Sequence, residues 1–148
     1  MFLYVDSSAL IKAYVLEAGS AAVATWLGAA DAVATSVIAR AEVAAGIAKG
    51  VRTGYTKADR ARWLLELFRM SWGDQISVAA TPELVERADE LAWDLGLRGY
   101  GAVHLASALE WQHTLGVPIV LVSFDHALLR AAAQCGLETL PGPVPERG

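Results

Sequence analysis

Two stretches, Phe2-Leu3-Tyr4-Val5-Asp6 and Ile119-Val120-Leu121-Val122-Ser123-Phe124-Asp125, share one pattern: a short, unbroken apolar run that leads to an aspartate. Apolar runs of this length suit strands buried on both faces of a parallel sheet. After each aspartate the pattern turns helical. In open parallel sheets, ligands bind in the crevice outside the carboxyl ends of the strands. Both carboxylates are therefore delivered to that edge, where they repel unless positive charge stands between them. A divalent metal ion would supply it.

Outward from these runs, strand and helix patterns alternate along the whole chain. Strand 2–6 leads to a helix from Ala9 to Leu16 with Ser7 or Ser8 as its cap, and Gly19-Ser20 opens a second helix reaching about Leu27. Ala32 to Thr35 reads as a strand, followed by a strongly apolar helix from Val37 to about Lys49. Gly50 and Gly54 bracket a break, and Thr56 is expected to cap a longer helix ending near Trp72. Gln75 to Ala79 reads as a strand. Thr81-Pro82-Glu83-Leu84 is a helix start, with Thr81 as cap and Pro82 at the first helical position. That helix ends at Gly96. A helix from about Tyr100 to His113, strand Ile119–Val122, helix Asp125–Gln134 and strand Leu137–Leu140 complete the reading. Residues 1–140 are expected to form a single α/β domain on a five-stranded parallel sheet, since right-handed crossovers join parallel strands. Pro141, Pro143 and Pro145 predict a proline-rich C-terminal tail over 141–148.

Composition narrows the class. The 148 residues are 55% hydrophobic and 19% charged, as in a chain with a full core and unlike a disordered one. No stretch approaches the ~20 uncharged apolar residues of a membrane-spanning helix. The apolar start lacks the basic flank of a signal peptide, and the lone Cys135 fits a reducing compartment, so a cytoplasmic location is expected. A net charge of −4 argues against non-specific adhesion to nucleic acid through a basic surface. It leaves a nuclease open, because bound metal ions carry charge that a residue count omits.

Each candidate residue also has a plainer reading. Asp6 and Asp125 stand where an aspartate caps the following helix. Glu42 is harder to explain. Its helix is apolar or tiny nearly all round, and a buried glutamate needs a partner, which Arg40 or Lys49 can provide as well as a metal can. Ser7 and Ser123 sit beside the aspartates and suit either capping or a hydrogen bond to a carboxylate. His104 lies one helical turn after Gly101, where it could face the same crevice, although a histidine in an apolar stripe reads first as a core or capping residue. Arg52, Lys57, Arg60, Arg62 and Arg69 form a solvated helix face or a contact to RNA phosphates. Trp63 and Trp111 are candidates for an oligomer interface. No Walker loop, dinucleotide-binding glycine motif, zinc-ligand spacing or nucleophile elbow is present.

Four segments in order carry a family resemblance: Tyr4-Val5-Asp6-Ser7-Ser8-Ala9-Leu10-Ile11-Lys12; Ser36 through Glu42; Leu97-Arg98-Gly99-Tyr100 with Ala102-Val103-His104-Leu105-Ala106-Ser107-Ala108; and Val122-Ser123-Phe124-Asp125. Together they resemble the PIN-domain proteins, and among these the VapC-type ribonuclease toxins of toxin–antitoxin systems. The resemblance implies a three-layer α/β/α sandwich around a central five-stranded parallel sheet. It also implies an Mg²⁺- or Mn²⁺-dependent endoribonuclease, with Asp6, Glu42 and Asp125 as metal-binding and catalytic carboxylates and Ser7 and Ser123 in support. The implied partners are RNA, a VapB-like antitoxin and a second copy in a homodimer, with no membrane. The chain departs from the pattern at one place. A fourth carboxylate is expected between Tyr100 and Ala102, and Gly101 stands there. The expectation is therefore a toxin whose ribonuclease activity is impaired. A catalytically inactive PIN domain that binds antitoxin or RNA is the alternative, and a metal-dependent phosphatase or DNA nuclease ranks third.

Overall fold

The computed structural model describes residues 1–142. Of the expected proline-rich tail, only Pro141 and Gly142 fall within the described residues. Five strands form one sheet: β1 (Phe2–Val5), β2 (Ala32–Ser36), β3 (Ile76–Val78), β4 (Val120–Val122) and β5 (Glu138–Leu140). All pairings are parallel, in the order β3-β2-β1-β4-β5. The chain steps outward from β1 to β3, then crosses back and continues on the other side of β1. Strand order thus reverses between β1 and β4, which places the ligand crevice of such sheets at their carboxyl ends. Leu3, Tyr4 and Val5 pair there with Val120, Leu121 and Val122, and the Asp6 N–H extends the ladder to the Val122 carbonyl at 3.1 Å.

Among the described residues seven helices cover the sheet: α1 (Ser7–Leu10), α2 (Ser20–Ala29), α3 (Ala39–Arg52), α4 (Ala58–Ser71), α5 (Pro82–Leu95), α6 (Gly99–Leu115) and α7 (His126–Gln134). The strands' two-residue period sorts their side chains between two layers. Tyr4, Ala34 and Leu121 pack with Leu84, Leu91, Leu105 and Leu128 on the α5, α6 and α7 face. Leu3, Val5, Val120 and Val122 pack with Leu10, Val43, Ile47, Leu64 and Phe68 on the α1, α3 and α4 face. This is the expected three-layer α/β/α sandwich. Among the described residues no helix is long and apolar enough to cross a membrane.

Local departures from the sequence reading have tertiary causes. The first helix was expected to run to Leu16, but α1 stops at Leu10 and a 3₁₀ turn covers Ile11–Ala13. Tyr14 leaves helical packing to bond Ser71 at 2.5 Å and to meet the Phe68 ring edge-on at 5.3 Å. Asp6, and neither serine, caps α1 by accepting from the Ala9 N–H. Thr56 does not cap α4; its N–H closes the α3–α4 turn onto the Gly50 carbonyl, and Lys57 occupies the cap position without a side-chain bond. The α5 start is as expected, with Thr81 Oγ1 accepting from Leu84 N–H at 3.2 Å. Gly96, at φ 65°, takes the left-handed conformation that ends that helix and that glycine adopts without strain. Trp111 is core, edge-on to Phe2, and offers no interface; Trp63 is exposed.

Candidate active site

Asp6 follows the end of β1, two residues after Tyr4, and its carboxylate folds back onto the first turn of α1. It is 4% exposed. Its Oδ1 accepts from Ser8 Oγ at 2.7 Å and from Ala9 N–H at 3.0 Å, and its Oδ2 accepts from Ser123 Oγ at 2.7 Å. The hydroxyls on Asp6 are thus those of Ser8 and Ser123. Ser7, expected in that role, makes no side-chain hydrogen bond among the described residues, because the first turn of α1 brings back residue i+2 and not i+1. Burial pushes the Asp6 carboxyl above the ordinary carboxylate range, opposed by the nearby His104 ring, the two hydroxyls and the Ala9 N–H. Among the described residues no lysine or arginine forms an ion pair with it.

Ser123 joins the two aspartate segments. Its hydroxyl donates to Asp6 and accepts from the Asp125 N–H at 2.9 Å. Ser8 closes the network by accepting from Phe124 N–H at 2.9 Å. The Asp125 side chain is exposed and caps α7, its Oδ1 accepting from Ala127 and Leu128 N–H at 2.9 and 3.3 Å. The capping reading therefore holds for both aspartates, and it positions them without using all their lone pairs.

Glu42 lies in the first turn of α3 and turns inward. Its Oε1 meets His104 Nε2 at 2.6 Å, with the glutamate side chain 22% and the histidine 2% exposed. Neither Arg40 nor Lys49 pairs with it; Arg40 stacks over Trp72 instead. The other imidazole nitrogen, Nδ1, meets the Tyr4 hydroxyl at 2.8 Å. Sequence reasoning weighed His104 and Glu42 separately and passed over Tyr4. The spacing of His104 and Gly101, three apart on α6 and hence on one face, already allows the histidine to face the crevice; it does not give Glu42 as its partner. Gly101 is in the first turn of α6, and a Cβ built there meets nothing within 4 Å.

The PIN-domain family model matches residues 3–134, which takes in all seven helices and, but for Phe2, every strand except β5. The chain belongs to the PIN-domain family. It is 31% identical over 147 residues to ribonuclease VapC47 of Mycobacterium tuberculosis, across 96% of this chain and 98% of that protein. Its fold is similar to PAE2754 from Pyrobaculum aerophilum, with a TM-score of 0.65 and 21% identity over 95% of this chain and 84% of that one. It is also similar to a chain of a toxin–antitoxin complex from Klebsiella pneumoniae, with a TM-score of 0.57 and 18% identity over 80% and 83% of the two chains.

In this PIN domain, no group of three or more His, Cys, Asp or Glu side chains that could hold a metal ion occurs among the described residues. Each carboxylate has protein donors of its own: hydroxyls for Asp6, an imidazole for Glu42, helix N–H groups for Asp125. The donor chemistry still fits a hard, oxygen-seeking ion, because Mg²⁺ takes one or two carboxylates and fills its shell with waters and phosphate oxygens. The buried Asp6 carboxyl, raised in pKa and without a cationic ion-pair partner among the described residues, is the group that such an ion would relieve.

Proposed function

We propose that this PIN domain is the toxin of a type II toxin–antitoxin pair, a metal-dependent endoribonuclease impaired by Gly101. The observation that carries the reading is that Ser123 ties the buried Asp6 carboxylate to the backbone of Asp125, with Glu42 turned inward on α3, at the strand-order reversal of a PIN fold. Asp6 and Asp125 would hold Mg²⁺ or Mn²⁺, and Glu42 would bind the ion or orient water. When bound, such an ion activates water and offsets phosphate charge during in-line displacement. The chain's own part is to fix Asp6 with two hydroxyls and to hold Glu42 with His104. Its missing part is a carboxylate on the first turn of α6.

RNA is the substrate this reading requires, and the charge distribution supports it despite the net charge of −4. Arg40, Lys49, Arg52, Lys57, Arg60, Arg62 and Arg69 place seven of the chain's 12 basic residues on or between α3 and α4, against Glu42, Asp59 and Glu66. Tyr55 and Trp63 are exposed among them, and Arg60 lies 4.8 Å over the Trp63 ring. Basic groups interleaved with aromatic faces suit a single-stranded backbone with stacked bases. The complex that the Klebsiella relative forms supports an antitoxin partner here, and a cytoplasmic location follows from an RNA target. For the homodimer, one candidate surface is an apolar groove of about 370 Å³ between α5 and α6, lined by Val85, Ala88, Ala92, Tyr100 and Val103 with Asp89 and Arg98 at its side.

RNA cleavage with added Mn²⁺, comparing the chain with its Gly101→Asp variant, tests the proposal. Weak or absent cleavage by the first and metal-dependent cleavage by the second is expected. Equal, robust cleavage by both would show that the site works without the fourth carboxylate. Inactivity of both would favour the second reading, a PIN domain that binds antitoxin or RNA and cleaves nothing, for which the lack of a gathered three-ligand group among the described residues speaks.

A further inference from the structure

A glutamate in the first turn of a helix is favoured by the helix dipole, but its long side chain is not thereby aimed. Fixing one freely rotating glutamate costs side-chain rotamer entropy, so a defined carboxylate needs a partner that is itself fixed. His104 meets that requirement. Its ring is buried on α6, with Nε2 2.6 Å from Glu42 Oε1 and Nδ1 2.8 Å from the Tyr4 hydroxyl. The Tyr4 ring stands edge-on to the imidazole at 5.9 Å and is itself fully buried in β1. An ionised carboxylate only accepts, so Nε2 carries the hydrogen of the first bond. Nδ1 meets the Tyr4 hydroxyl, which can donate to it or accept from it, so both bonds are satisfied with one ring orientation.

From this geometry we infer that His104 is the positioning residue of the site: it fixes Glu42 relative to Asp6 by tying it, through Tyr4, to the strand that carries Asp6. The inference rests on the reading of Glu42 as a site carboxylate. Asp6 follows Tyr4 by two residues at the end of β1, so the separation of the two carboxylates is set by β1, one tyrosine and one imidazole. Only Glu42 Oε1 is occupied by this contact, which leaves Oε2 for a metal or a water. His104 lies one turn beyond Gly101, so on this wall of the crevice it is the imidazole, in place of a carboxylate, that orders the site.

Replacement of His104 by glutamine keeps an amide N–H near the position of Nε2. Asparagine, being shorter, reaches only as far as Nδ1. The two variants separate orientation of Glu42 from mere filling of the core. In the Gly101→Asp protein with Mn²⁺, His104→Asn is expected to lower kcat about 10–100-fold with little change in KM, the range found when a group orienting a metal ligand is lost. His104→Gln should recover most of that loss. On a Glu42→Gln background, His104→Asn should add little, since coupled residues are non-additive. The same series in the unmodified chain, read as Mn²⁺ affinity by electron paramagnetic resonance, should follow the same order and decides the matter if neither protein cleaves. Tyr4→Phe removes only the hydroxyl that orients the ring and should reproduce a smaller part of the loss, which covers a His104 variant that fails to fold. His104→Asn without effect, or with an undiminished effect on the Glu42→Gln background, overturns the inference while leaving Glu42 in the site. Glu42→Gln without effect on either turnover or Mn²⁺ affinity overturns the reading of Glu42, and this inference with it.

Discussion

Ser123 and Asp6, separated by 117 positions in the chain, meet in a buried hydrogen bond of 2.7 Å, with the Ser123 hydroxyl donating to Oδ2. The same hydroxyl accepts from Asp125 N–H. One side chain therefore registers the end of β1 against the loop between β4 and α7, the place of the proposed site.

Removing that hydroxyl leaves a buried carboxylate one donor short. Ser123→Ala should destabilise the metal-free protein by about 1.5–3 kcal/mol, the range for hydrogen bonds to charged groups. Ser7→Ala, at a side chain without such a bond, should stay within about 0.5 kcal/mol. Urea unfolding at neutral pH measures both, and equal effects would remove Ser123 from its special place.

Asp6 predicts a pH dependence whose sign is opposite to that of a salt-bridged aspartate. Burial raises its folded-state pKa, so the folded protein binds the proton more tightly than the unfolded chain does. Its contribution to stability is full below the unfolded value of about 3.9 and is lost as pH rises through the higher folded value. Asp6→Asn, which retains a good capping residue, should therefore gain stability over the parent progressively from about pH 4 upward. Paired denaturation curves from pH 4 to 7 test this. A gap that narrows with rising pH contradicts the raised pKa. Under the proposed function, added Mg²⁺ stabilises the parent near neutral pH and not the variant.

Gly101→Asp has room for its side chain. On the proposed reading it adds a carboxylate to the crevice, and Mn²⁺ affinity should tighten at least about 10-fold, as for groups around other metal sites. In the metal-free state two effects offset each other. Replacing glycine in a helix by a first-turn aspartate gains up to about 1 kcal/mol, while crowding against Asp6 and Glu42 costs a comparable amount. The unfolding midpoint without metal should therefore move little, and the metal-induced shift should grow. A titration showing unchanged affinity would detach Gly101 from the site.

The α3–α4 basic face predicts a salt signature. If Lys57 and Arg60 contact phosphates, the double change Lys57→Glu and Arg60→Glu should weaken single-stranded RNA binding. It should also flatten log affinity against log salt by about 0.7 per lost contact. Fluorescence anisotropy at several salt concentrations reads both quantities. A parallel, merely displaced line would mean that these side chains do not touch the backbone.

The architecture was legible in the sequence because its signals are local. Four apolar residues ending at Asp6 and four before Ser123 can be little else than buried parallel strands, and Thr81-Pro82 with Gly96 marks both ends of α5 through capping chemistry. The aspartates were legible for the same reason, since a strand-terminal carboxylate that caps the next helix depends only on neighbours in the chain. Where a long-range contact outweighed local preference, the reading missed. Tyr14 leaves its helix for Ser71, and Thr56 serves a turn and not a cap. The partner of Glu42 was beyond reach too: Arg40 and Lys49 are near in sequence, whereas His104 lies 62 positions from Glu42 and 100 from Tyr4. Amphipathic period and capping decide which elements form. The registry of α3, α6 and β1 decides which side chains meet, and that depends on how three separately legible elements pack in the core.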